Sequence, residues 1–196
     1  MGRSIRFLLA SLILCAATAR ASVTESTDKI HIGKMVVVSD NLSEADQDRL
    51  VSRFESSEYF LYEIRPRIER ITQGMGYLKA VAEEPEISFL KDGTASETVR
   101  VHEGSLYRLA DIHIQLLGAT HFAPHRLRAL FPLKQGEPYD SAPIGIGLQK
   151  LQTLLVSCGY SRVTIAPTLM VDTSSLVVNL TIEVEEGSCL PSAECR

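Results

Sequence analysis

Two dipeptides recur in this chain at one spacing. Gly76-Tyr77 returns as Gly159-Tyr160, and Glu103-Gly104 returns as Glu186-Gly187, each 83 residues on. A lone Gly-Tyr or Glu-Gly carries no information. Two at one offset, with the same apolar run, polar turn and apolar run between them, mark a duplicated unit. There is one local slip: Pro85 would fall on Thr168, whereas the proline stands at Pro167.

The second copy is the clearer one. Asp111 to Leu116 alternates with period two, as a half-buried strand does. Pro124 suits a first helical turn, and Leu127, Leu130 and Phe131 give that short helix an apolar side. Pro132 ends it. After the turn at Lys134–Pro138, Asp140 or Ser141 is a candidate N-cap. Ile144, Leu148, Leu151 and Leu155 then form one stripe of a long helix, with Gly145 and Gly147 weakening its first turns. Gly159 follows as a C′ residue. Two strands close the unit, one running through Val163, Ile165, Leu169 and Val171, the other through Leu176, Val178, Leu180, Ile182 and Val184.

The first copy repeats the order. Met35–Val38 reads as a strand, Ser43 and Asp46 as a helix start, and Ile64, Ile68, Ile71 and Met75 as the long stripe. Pro66 predicts that the regular part of that helix begins near Arg65. Ala80–Phe89 and Thr98–His102 form the closing hairpin. The expected fold class is α+β: tandem β-α-α-β-β units, each a three-stranded mixed sheet packed on two helices. The expected division is a leader over 1–21, a loose segment over 22–30, a divergent first unit over 31–105, a second unit over 106–187 and a Cys-containing tail over 188–196.

The start has the pattern of an export signal. Arg3 and Arg6 precede an apolar run from Phe7 to Ala17, and Ala19-Arg20-Ala21 is a small-x-small cleavage site. The run is short for a membrane span. Cys15 follows Leu14, where lipoprotein signals carry a small residue, so lipidation is not expected. The chain has 20 basic and 24 acidic residues. Removing the leader's three arginines leaves 17 − 24 = −7. Nucleic acid is a poor partner for such a surface.

The residues Glu103-Gly104-Ser105-Leu106-Tyr107-Arg108-Leu109-Ala110-Asp111-Ile112, Leu133-Lys134-Gln135-Gly136-Glu137-Pro138-Tyr139-Asp140, Gly159-Tyr160 and Val184-Glu185-Glu186-Gly187 resemble the polypeptide-transport-associated (POTRA) domain family. That family occurs in outer-membrane barrel-assembly proteins, two-partner secretion transporters and chloroplast import channels. The second copy matches throughout. The first matches from Ile64 on; it lacks the KxGxxY turn formed by Lys134, Gly136 and Tyr139, and Glu58-Tyr59 stands in loosely. The resemblance implies a non-enzymatic periplasmic scaffold at the inner face of the outer membrane. It would bind unfolded outer-membrane polypeptides by β-strand addition, with a separate membrane barrel as a further partner. Full-length relatives carry a C-terminal barrel, so a free-standing module, a partner of a separate barrel and a truncated transporter all stay open as readings. A structural spacer or adaptor between envelope proteins is the first rival reading, and a secreted metal-dependent enzyme the second.

The resemblance also implies that the second strand of each copy is the exposed edge, Ala80–Phe89 and Arg162–Val171. Glu83, Glu84 and Glu86 guard the first. The second carries only Arg162 as a charge, so Arg162, Val163, Thr164, Ile165, Thr168, Leu169, Met170 and Val171 form the candidate client edge. Val163, Ile165, Leu169 and Val171 are expected inward. Gly76, Tyr77, Gly159 and Tyr160 read as helix cap and core aromatic, and Glu103, Gly104, Glu186 and Gly187 as junctions. His121 and His125 stand four apart but flank Pro124 without an adjacent acid, so no metal site is expected. His31, His102 and His113 read as isolated strand residues. No nucleophile or cofactor fingerprint occurs, so neither enzyme activity nor a cofactor is expected. Cys189 and Cys195 could close a small disulfide loop in an oxidising compartment. Cys158 aligns with Met75 and reads as a buried hydrophobe outside any bridge.

Overall fold

The computed structural model describes residues 29–55, 57–117, 122–160 and 162–186. The first unit runs β1 (Lys29–Val38), α1 (Glu44–Val51), β2 (Ser57–Phe60), α2 (Leu61–Gly74), β3 (Val81–Ala82), β4 (Glu86–Phe89) and β5 (Ala95–His102). The second runs β6 (Arg108–Leu117), α3 (Pro124–Arg128), α4 (Ser141–Ser157), β7 (Val163–Asp172) and β8 (Val177–Glu186). The second sheet is three-stranded in the order β6-β8-β7, with β6 parallel and β7 antiparallel to β8.

The first sheet is larger than expected. Its path is β2-β1-β5-β3, with β4 also on β5, and β1 lies parallel to β5. Two local causes account for this. Lys29 and Ile30, expected to be loose, extend β1 and pair with Phe60 and Tyr59 of β2. Tyr59 anchors that strand: its ring lies 5.2 Å from that of Phe54, and its hydroxyl donates to the Arg53 carbonyl. In the second unit the same place holds a single bridge between Arg108 and Pro138, where proline offers no donor to extend a ladder. The expected strand Ala80–Phe89 is also split. Ala82 faces Val101 and Glu86 faces Thr98, so four steps on one chain oppose three on the other. This is a bulge around Pro85.

Helices α1 and α4 start on side-chain caps. The Ser43 hydroxyl accepts from the Asp46 N–H, and the Asp140 carboxylate accepts from the Ala142 N–H. Helix α2 begins at Leu61, before Pro66 rather than at Arg65. The bond that Pro66 cannot make would go to the Tyr62 carbonyl, and Tyr62 is exposed, so water can satisfy it. Gly147 has a packing reason that helix propensity does not show. A Cβ there would lie 2.1 Å from the Phe131 ring, which fills that space against α4.

Two cores result. Ile32, Leu50, Phe54, Ile64, Ile68 and Val99 are buried in the first, and Leu109, Leu127, Leu151, Leu155, Val178 and Ile182 in the second. Leu106 leans on the first core, and Leu78 reaches across to the second. The long helices begin at 61 and 141 but end at 74 and 157, so the repeat offset grows from 80 to 83 within them.

Candidate functional site

The second sheet has two outer strands, and they are not equivalent. The start of β6 is occupied: the Leu109 N–H donates to Glu137, the Gly136 N–H donates to Leu109, and the Tyr139 N–H donates to Tyr107. Gly136 turns this segment with a φ of +82°, a conformation that favours glycine, and the Arg108 guanidinium donates to its carbonyl. The KxGxxY turn therefore covers part of one edge, with half-buried Tyr139 packed against the core. Strand β7 pairs with β8 on one side and with no other strand among the described residues.

The register of β7 assigns its backbone groups. Pro167 faces Ile182 in an unbroken ladder, with Ala166 opposite Glu183 and Thr168 opposite Thr181. Proline has no N–H, so its pair is a non-hydrogen-bonded one, and antiparallel alternation gives the bonded pairs to Ala166 and Thr168. The donors facing the open edge belong to Val163, Ile165, Leu169 and Val171. The side chains of Val163, Ile165 and Leu169 pack on the second core, as expected. Val171 does not: it is 44% exposed. It lies at the end of the edge strand beside the turn, with a neighbouring strand on one side only. Met170 is 63% exposed on the solvent face, alongside exposed Thr164 and Thr168. Charge is confined to the ends. Arg162 precedes the strand, and Asp172 is bound by the Ser174 and Ser175 hydroxyls, both at 2.6 Å. Those hydroxyls and the backbone N–H groups of the same serines hold its carboxyl well below the usual carboxylate range.

The edge of the first sheet is interrupted. Glu83, Glu84 and Glu86 are all exposed around the bulge. The Glu83 carboxylate accepts from the His102 ring N–H at 2.7 Å, so His102 is paired rather than isolated. Glu84 binds Arg65 at 3.0 Å.

The repeated dipeptides sit at the joints. Gly76 and Gly159 have φ of +99° and +90° at the ends of α2 and α4. Tyr77 and Tyr160 are buried in the two cores, and Phe122 lies 6.1 Å from the Tyr160 ring. Gly76 serves a second purpose, since a Cβ there would meet the Tyr139 carbonyl at 2.7 Å. Glu103 is buried, and its carboxylate accepts from the Asn41 N–H, tying the β1–α1 loop to the end of β5. Gly104 follows with φ +69°. Glu186 ends β8 opposite Val163. The leader, His121, Gly187, Cys189, Cys195 and the 188–196 tail lie outside the described residues. His125, His31 and His113 are exposed.

Cys158 corrects an expectation. It is buried at the end of α4 like Met75 at the end of α2, but it is disulfide-bonded. Alignment with an apolar residue reports burial and says nothing of a sulfur partner. That partner lies outside the described residues.

One buried group was not singled out by sequence. Glu97 faces the first core from the middle of β5, fully buried, and neither carboxylate oxygen has a hydrogen-bond partner. Burial pushes its carboxyl up to about 7. The signal was available: Glu97 falls on Leu180 at the repeat offset.

The POTRA family, described as a surface antigen variable number repeat, matches residues 107–187. Residues 107–187 are a POTRA domain. The POTRA3-5 structure of BamA from Haemophilus influenzae is similar at 16% identity and a TM-score of 0.55, over 86% of this chain and 70% of that one. The likeness thus extends from the POTRA domain into the first unit, and it shows the fold. BamA from Haemophilus ducreyi lacking POTRA domains 1-3 is similar at 18% identity and a TM-score of 0.51, over 80% of this chain. The chain spans only 29% of that protein. No curated protein sequence matches.

Proposed function

We propose that this chain is a non-enzymatic, periplasmic protein-binding scaffold in outer-membrane protein assembly or polypeptide transport. It consists of two POTRA units, 31–105 and 106–187, and takes client strands by β-augmentation along β7. The supporting observation is the contrast between edges. Strand β7 is ten residues long, its register is held by inward side chains, its outward donors meet no other strand among the described residues, and its charges sit at the ends. A one-residue slip would expose Ile165 and Leu169, which fixes how the edge is presented.

The register also chooses the probe. Thr168→Pro would break the ladder to Thr181, whereas Val171→Pro removes an outward donor from an exposed position. Crosslinking of an unfolded outer-membrane strand peptide should fall several-fold in Val171→Pro while the thermal midpoint stays close to wild type. Unchanged binding by that folded variant would sink this mechanism. A spacer role is the second reading, favoured by the pinned joint between the units, where Arg49 binds Asp140. Absence of any client crosslink, with two envelope proteins bound at once, would select it.

A further inference from the structure

We propose that the cleft at the joint between the two units is a binding site for a phosphate group. It is about 170 Å³ in volume. Three arginines line it: Arg49 from α1, Arg53 one turn on, and Arg70 from α2. The turn continues past the end of α1, with the Glu55 N–H donating to Val51 at 3.1 Å, so Arg49 and Arg53 share one side. The opposite wall is Ser141 and Ala142, the first two residues of the 17-residue helix α4. The floor includes Gly74, where a Cβ would meet the Ser141 Oγ at 2.7 Å. The absent side chain lets the start of α4 close the cleft.

The charges do not cancel. Arg49 binds Asp140, which leaves Arg53 and Arg70; among the described residues neither guanidinium has a carboxylate partner. Three positive charges face Asp140 and, beside Arg49, Asp46, a local excess of one in a chain of net charge −4. Arg53 and Arg70 are exposed, so an arriving anion can reach both guanidinium groups. Guanidinium forks suit phosphate oxygens, and a helix start favours anions. The Asp140 side chain already takes the Ala142 N–H and Pro143 has none, so at the helix Ser141 supplies the donors. A phosphate offers acceptors to all three directions, from α1, α2 and α4, whereas a carboxylate has two oxygens and one charge. The cleft has room for a phosphate group. The ligand would touch both units and hold them together, independently of β7 and of the client-binding reading.

The test uses the full chain and inorganic phosphate, titrated against chloride at constant ionic strength, followed by calorimetry and thermal midpoint. Saturable binding is expected at millimolar phosphate or below. Arg53→Gln and Arg70→Gln should each weaken it at least tenfold, without change in the folded spectrum. No saturable response beyond that to chloride overturns the proposal, as does an unchanged response in the double variant. Equal affinity for acetate overturns the assignment to phosphate. Vesicles of phosphatidylglycerol and of phosphatidylcholine identify the source. Retention by the anionic vesicles alone, lost in the double variant, supports the site with a lipid headgroup as ligand. Binding of free phosphate without vesicle retention supports it with a soluble one.

Discussion

Arg49 and Asp140 meet across the joint as a two-point ion pair, with Nη–O distances of 2.8 and 3.1 Å. They are 91 residues apart in sequence and belong to different units. Asp140 is also the N-cap of α4. One carboxylate therefore sets the start of a helix and the placement of the neighbouring unit against it.

The two roles separate by substitution. Asp140→Asn keeps a capping oxygen and loses the ion pair, at about 1 kcal/mol. Asp140→Ala loses both, at about 2 kcal/mol. Arg49→Gln should then cost nothing further on the Asp140→Asn background, which a double-mutant cycle in urea would read. Burial pushes the Asp140 carboxyl up, but the Arg49 guanidinium and the Ala142 N–H outweigh it and hold the carboxyl below its ordinary value. This contribution is complete above the unfolded pKa and is lost as pH falls through the lower folded one.

Glu97 works in the opposite sense. Its carboxyl rises from 4.5 to about 7 on folding, so the folded state keeps a proton that the unfolded state has released. Stability should fall as pH rises between those values and level off above. The expected loss is about 3 kcal/mol from the whole window. Glu97→Leu, copying Leu180, should flatten that slope and raise the urea midpoint at pH 8. An unaltered slope would show that another group carries it.

Two neighbouring glycines should respond with opposite signs. Gly147→Ala forces a Cβ into the Phe131 ring and should destabilise by about 1–3 kcal/mol. Gly145→Ala meets open space and should stabilise by up to about 1 kcal/mol through helix propensity. Thermal melts of the two variants decide it.

Cys158 should resist alkylation in both native and denatured protein until a reductant is added. Peptide mapping without reduction would then name the partner. Labelling of Cys158 in unreduced, denatured protein would contradict the bridge.

The legible part of this fold was the part written in periodicity. The stripes Ile64–Ile68–Met75 and Ile144–Leu151–Leu155, the Ser43 and Asp140 caps and the Gly-Tyr joints all rest on local patterns of three or four residues. Strand β2 was hidden because four residues are too few to show alternation, and its partner is Lys29–Ile32 rather than a sequence neighbour. The bulge at Pro85 turns on one residue of register. The β7 edge was visible as an alternating run, but its outward donors required knowing that Pro167 faces Ile182. The Arg53–Arg70 cleft joins helices that meet only in the folded state, so no spacing announced it.

The unequal long helices also decide where the chain can be cut and rejoined. Gly76–Glu103 and Gly159–Glu186 are both 28 residues, whereas α4 is three residues longer than α2. Three residues are about 4.5 Å of rise and some 300° of rotation. A hairpin exchanged at the glycine arrives as an interchangeable cassette. One exchanged at the start of the helix keeps the apolar stripe in phase, since Ile64 and Ile144 both follow that start by the same spacing, but carries its hairpin away by that rise and rotation.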